Sequence, residues 1–153
     1  MGDKLLELNA VLRLYESNFR NLHWNAAGID FNDSHKSIRT DYYNLCGKYV
    51  DITAEMIVRL SGQNPPNYVE VSGILENTDH DYVIIDSTRL YSREDIVHLS
   101  DTMLGDICTI VVDILTDEVL QTPINAGIKS DLEAMLSEFD LQYRYINKRR
   151  ITN

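Results

Sequence analysis

What this chain lacks narrows the field first. No apolar run approaches the roughly 18 residues that a membrane-spanning helix needs, so no membrane partner is expected. Only two cysteines are present, Cys46 and Cys108. They lie far apart in apolar-periodic segments without CxxC spacing, which argues against a disulfide framework and leaves two buried, reduced thiols. Basic residues are scarce, 14 against 24 acidic ones, and the formal net charge of −10 repels a phosphate backbone unless cations gather locally. They gather once, at Lys148-Arg149-Arg150. That triplet reads either as a weak, salt-sensitive nucleic-acid contact or, preferably, as the ordinary basic end that complements a helix dipole. Met1-Gly2-Asp3-Lys4 leads straight into an amphipathic pattern, without the apolar core and small-residue cleavage site of a secretory signal, so a cytoplasmic location is expected. No internal repeat or low-complexity segment interrupts the chain.

What is present is helical periodicity. The 153 residues, 44% hydrophobic and 25% charged, suit a single globular domain spanning 1–153. Leu5, Leu8, Leu12, Tyr15, Phe19 and Leu22 recur every three or four residues and predict a first helix that ends near Ala27-Gly28. Ile38, Tyr42, Leu45, Tyr49, Ile52, Met56 and Leu60 predict a long second helix stopping at Ser61-Gly62, with Pro65-Pro66 beyond. Ser92, three residues before Asp95, opens a third helix through Ile96, Leu99, Met103, Ile107, Ile110 and Ile114. A fourth follows Thr122-Pro123 and carries Ile128, Leu132, Met135, Phe139, Tyr143 and Ile146. Between the second and third lie about thirty residues, Gln63 to Tyr91, too many for a tight hairpin and enough to travel the length of a bundle. The economical architecture is all-α: a ferritin-like four-helix bundle with one long crossover, in which Asn67 to Ser72 forms a short extra helix.

The residues that carry chemistry cluster early. His23-Trp24-Asn25 is followed by His35 and then, on the second helix, by Asp51 and Glu55. Asp51 and Glu55 are four residues apart, so both carboxylates leave one side of a helix and can share a metal or a pair of metals. Imidazole with carboxylate suits iron, and the absence of clustered thiolates argues against structural zinc. Each residue taken singly has an ordinary reading: a capping or core histidine, a solvated acidic face, a packed tryptophan.

Taken together, His23-Trp24-Asn25-Ala26-Ala27-Gly28-Ile29-Asp30-Phe31, then His35, then Asp51-Ile52-Thr53-Ala54-Glu55 resemble the signature of the Dps family of mini-ferritins, HWNxxGxxF, a following histidine and DxxAE. The resemblance continues through Ser61-Gly62, the crossover run Tyr68 to Ile74 and the lengths of the last two helices. It implies a hollow dodecamer that binds Fe(II), oxidises it preferentially with hydrogen peroxide and stores ferric mineral, protecting against oxidative stress. It implies that His23 and His35 of one subunit meet Asp51 and Glu55 of a two-fold mate, so that the homo-oligomer is a condition of ferroxidase activity. Trp24 would then intercept stray oxidising equivalents, and Asp131 falls roughly where the family's three-fold pores carry aspartates, although a solvated first-turn acid complementing a helix dipole is the preferred account of it. An acidic shell would also concentrate ferrous ions. DNA binding, commonly the work of lysine-rich tails in the family, is expected to be weak or absent here.

Two departures separate this chain from the pattern. Where the family usually has an aspartate one turn after the second histidine, this chain has Arg39, a cation in the place of an iron ligand. The spacing from His35 to Asp51 is also one residue longer, an insertion of the kind a helix absorbs as a π-bulge. Asp41 would replace the missing carboxylate only if that bulge fell early. The alternatives to an active ferroxidase are therefore a Dps-like cage with weakened iron chemistry, or a non-metal helical interaction protein whose acidic face binds a partner.

Overall fold

The six apolar residues that set the first helical rhythm are all buried on α1, Gly2–Asn25. In the computed structural model residues 1–29 and 31–151 are described, with the side chains of all of these except Ser34, Ser37, Arg39 and Thr40. α2, Phe31–Ser37, passes through a π-helical segment, Ile38–Tyr43, into α3, Asn44–Ser61. The crossover carries α4, Tyr68–Glu76; α5 is Arg93–Leu115; two 3-10 turns, Glu118–Gln121 and Pro123–Asn125, lead into α6, Ala126–Asp140. A second π-helical segment, Leu141–Asn147, and α7, Lys148–Ile151, continue the line of α6. Buried side chains of α1, α3, α5 and α6 form one contiguous core, the interior of a four-helix bundle with a long crossover. No strand occurs among the described residues, and none of the described helices is long and apolar enough to cross a membrane.

The ends of the elements follow the local chemistry. Ser92 accepts from the Asp95 N–H while Asp95 accepts from the Ser92 N–H, the reciprocal cap expected from the spacing. Asn67 and Glu70 cap α4 in the same way, so the short crossover helix starts as expected and runs on to Glu76. α3 stops at Gly62, whose φ of 67° is a left-handed conformation that closes the helix on the Val58 carbonyl. α1 stops two residues earlier than its periodicity suggests. The Tyr91 N–H takes the Asn25 carbonyl and the Ala27 N–H donates to the Tyr91 carbonyl, both at 2.9 Å, so the crossover's end captures backbone groups that would have continued the helix.

The π-helical segments are the larger departures from uniform periodicity. The first lies between His35 and Asp51, where the extra residue was placed. The second corrects the reading of the fourth helix as one α-helical run. It rotates Asn147 into the core, fully buried, where the Asn147 Nδ2 donates to the Val97 carbonyl at 2.9 Å and its Oδ1 accepts from the Tyr42 hydroxyl at 2.9 Å. Tyr42 belongs to the first π segment, so this bond ties the two irregular stretches together. Lys148, Arg149 and Arg150 do not trail from the bundle: Lys148 Nζ pairs with Asp101 at 3.0 Å, Arg149 stacks over Tyr145 and Arg150 donates to the Tyr42 hydroxyl. Their place in a final helical turn agrees with the dipole reading. Cys46 is fully buried and Cys108 half-buried, both as free thiols; burial pushes both up, Cys108 to about 11.

Candidate metal centre

His23 occupies the last turn of α1, and the chain must reverse before His35 can face it. Gly28 makes the reversal, with a φ of 103° that a side chain would resist, and its carbonyl receives the Phe31 N–H at the start of α2. The two imidazoles then stack, centroids 3.7 Å apart and planes 19° from parallel. Each ring bonds the other residue's backbone: His23 Nδ1 lies 2.8 Å from the His35 carbonyl and His35 Nδ1 lies 2.9 Å from the His23 carbonyl. A carbonyl oxygen only accepts, so both Nδ1 atoms carry the proton and, in the neutral rings, both Nε2 atoms hold the lone pair. Metal-ligating histidines are commonly oriented by this kind of Nδ1–H to carbonyl bond.

Aromatic groups hold the pair in place. Phe31 stacks 4.9 Å from His35, and Tyr43, from the first π segment, sets its edge against His23 at 5.6 Å and 75°. The Arg20 guanidinium lies 4.4 Å from the Tyr43 ring centre and pairs with Glu16 at 3.1 Å. His23 is buried and His35 half-buried, yet the adjoining surface is apolar and open: Trp24 is 65% exposed and Ile29 wholly exposed. Trp24 therefore does not pack into the core of this chain, the ordinary purpose of a tryptophan.

Asp51 and Glu55 do share one face of α3, and both are exposed, while Thr53 and Met56 face the core. The single chain brings the two histidines together and sets the two carboxylates side by side, but does not join the pairs: among the described residues no group of three or more histidines, cysteines and acids is close enough to hold a metal. Arg39 belongs to the first π segment, and its side chain lies outside the described residues. Asp41 is half-buried and lines a small groove with Lys48, Glu138 and Gln142 on the α6 side. Asp131 is corrected in position: it lies past the first turn of α6, exposed, with Arg59 of α3 at 3.9 Å, so dipole complementation does not explain it. The sequence reading missed Tyr43 and Arg20, since the apolar rhythm passed through Tyr42 and only the π segment turns Tyr43 to the histidines.

No family model matches the chain. It is 37% identical over 81 residues to an uncharacterized protein of Haemophilus influenzae, a match covering 50% of this chain and about half (49%) of that relative's length. Similar solved structures cover nearly the whole chain. The Helicobacter cinaedi protein CAIP superposes with a TM-score of 0.81 at 16% identity, covering 99% of both chains. Dps from Staphylococcus aureus superposes at 0.79 with 20% identity, covering 98% of this chain and 93% of its own. The fold is that of the Dps proteins. A Dps protein from Bacillus brevis, at 0.74 and 14% identity over 99% of this chain and 89% of its own, shares it as well. Within the Dps fold the helix that carries Asp51 and Glu55 is the second long one, and the stacked histidines lie at the junction between the first and second.

Proposed function

We propose that this chain is a Dps-type mini-ferritin, acting as a single domain in the cytoplasm, that takes Fe(II) as substrate at a site shared between subunits, oxidises it with hydrogen peroxide and stores the ferric product in a hollow homo-oligomeric shell of twelve chains. The observation that carries this reading is the reciprocally bonded pair of His23 and His35, both presenting Nε2 as the basic nitrogen, at an apolar surface next to exposed Trp24. Asp51 and Glu55 supply the anionic half of a ligand set from a two-fold mate, where ferrous ion finds two imidazoles and two carboxylates. Two Fe(II) and one peroxide, with two protons, give two Fe(III) and two waters. His23 and His35 bind and orient the iron, and the carboxylates neutralise the charge that grows on oxidation.

The test mixes the purified protein with Fe(II) without oxygen, adds substoichiometric hydrogen peroxide and follows ferric absorbance. Wild type is expected to oxidise Fe(II) well above the buffer rate, with iron co-eluting with a large assembly, and Asp51→Ala, Glu55→Ala to lose that rate. Equal, buffer-level rates in both would overturn the reading. A second reading, a cage with weakened ferroxidase chemistry, draws support from Arg39 standing where a carboxylate is expected and from Asp41 lining a different groove. It predicts the large assembly without the fast oxidation, and restoration of the rate by Arg39→Asp.

A further inference from the structure

In an uninterrupted α-helix the Ala27 N–H would donate to the His23 carbonyl, four residues back. Here it donates instead to the Tyr91 carbonyl at 2.9 Å, and the His23 carbonyl is left to receive His35 Nδ1, also at 2.9 Å. Tyr91 closes the same bridge from its other side, its N–H donating to the Asn25 carbonyl at 2.9 Å. Where α1 ends is therefore set by Tyr91, at the far end of the crossover. Ending it there frees the backbone acceptor that makes Nδ1 of His35 the proton-bearing nitrogen and leaves Nε2 to ligate.

The side chain of Tyr91 holds its own backbone in that place. The ring is buried, and its hydroxyl accepts the Asp86 N–H at 2.9 Å while donating to the Asp86 carbonyl at 3.0 Å, so residues 86–91 form a closed turn. Within the turn Asp86 Oδ1 accepts the Thr88 N–H at 2.9 Å, and the Ser87 carbonyl accepts from Asn25 Nδ2 at 3.3 Å. Just beyond it Arg93, the first residue of α5, lies 3.8 Å from Asp33, two residues before His35. The segment 86–93 thus braces both limbs of the reversal, at Asn25 and Ala27 after His23 and at Asp33 before His35. Packing alone would be served by any ring of this shape; closing the turn on both backbone groups of Asp86 needs a hydroxyl that donates and accepts.

We propose that Tyr91 is a positioning residue of the candidate metal centre, diverting the Ala27 N–H so that the His23 carbonyl is free to hold His35 with Nε2 available to the metal. This rests on reading His23 and His35 as iron ligands. Tyr91 acts on the imidazole through backbone, and its hydroxyl keeps that backbone in register. Without the hydroxyl the turn opens, the Ala27 N–H can return to His23, and His35 loses the exclusive use of the acceptor that orients its ring.

The test titrates the assembled, metal-free protein with Co(II), a redox-inert stand-in for Fe(II) whose visible absorption reports its ligands, without oxygen and below the unfolding temperature of every variant. Tyr82→Phe serves as the matched control, since it removes a hydroxyl bond from the same crossover, to Glu7, away from the reversal. Wild type is expected to bind Co(II) and His23→Ala to lose the site. Tyr91→Phe is expected to elute as the same assembly but to bind about tenfold more weakly, with altered absorption bands, the lower end of what loss of an outer partner costs a ligating histidine. Asn25→Ala, which releases the Ser87 carbonyl and leaves Tyr91 intact, is expected to weaken binding in the same direction by less, and it decides the question by itself if Tyr91→Phe does not assemble. Tyr82→Phe is expected to match wild type in affinity and spectrum while lowering the unfolding temperature. Wild-type affinity in both Tyr91→Phe and Asn25→Ala, or equal weakening in Tyr91→Phe and Tyr82→Phe, overturns the positioning role and leaves the histidine reading standing. Co(II) binding that is absent from wild type, or unaffected by His23→Ala, overturns the histidine reading and the proposal with it.

Discussion

The two halves of the candidate centre are prepared to different degrees by a single chain. His23 and His35 are stacked, bonded to each other's backbone and flanked by Phe31 and Tyr43. Asp51 and Glu55 stand exposed on α3, placed by nothing more than helical spacing. The difference teaches that one half is part of the fold's own hydrogen-bonding and packing while the other awaits what faces it. Removing the first disturbs structure and function together; removing the second should touch function alone.

The sharpest way to break that contrast is to truncate each half. His23→Ala orphans the His35 carbonyl and removes the stacked ring, so it is expected to abolish peroxide-driven oxidation and to cost about 1–3 kcal/mol, read as a lowered unfolding temperature at fixed protein concentration. Asp51→Asn with Glu55→Gln is expected to abolish oxidation equally while moving stability by no more than about 0.5 kcal/mol. A large loss of stability in the carboxylate variant would erase the contrast.

The histidine half can next be loosened from behind. Asn147 anchors Tyr42, next to the Tyr43 that edges His23, so Asn147→Ala is expected to cost about 1–3 kcal/mol through its orphaned partners and to weaken Fe(II) binding without touching a ligand, read by calorimetric titration.

Acid probes the support of the carboxylate half. The Tyr49 hydroxyl, from α3, and then Lys48 hold Glu138 below its ordinary value of 4.5. A depressed folded value means that the contribution is complete above the ordinary carboxylate range and lost as pH falls through the folded one. The stability gap between wild type and Tyr49→Phe is therefore expected at pH 7 and should close on acidification below about 4.5, followed by thermal unfolding across pH. The smallest effect belongs to the far end of α3, where Arg59 and Asp131 are half-exposed and 3.9 Å apart; Arg59→Ala should change stability by less than about 0.5 kcal/mol.

Much of this arrangement was legible in the residues. The repeats through Leu5 to Leu22 and Ile96 to Ile114 gave amphipathic helices, and Ser92 with Asp95 gave a helix start, because caps and stripes depend on neighbours within a turn. The first π segment was legible as one residue too many between His35 and Asp51. The second was not, since Leu141–Asn147 keeps a plausible helical rhythm and Asn147 looks like a surface residue until Val97 and Tyr42 meet it. Trp24 was expected to pack and is exposed, and Asp131 was expected to serve a helix dipole and pairs with Arg59, because both outcomes depend on elements distant in sequence.

Sequence alone determined which imidazoles and carboxylates are available as ligands and that Asp51 and Glu55 share one side of a long helix, because side-chain chemistry and helical periodicity are local properties. Tertiary structure decided which nitrogen each histidine presents, that Tyr43 rather than Tyr42 edges His23, and that Asp51 and Glu55 turn outward while the histidines turn in. The reason is geometric. The carbonyl that fixes each Nδ1 lies twelve residues away, across a reversal that Gly28 must make, and a bond between such groups exists only after the chain has turned back on itself.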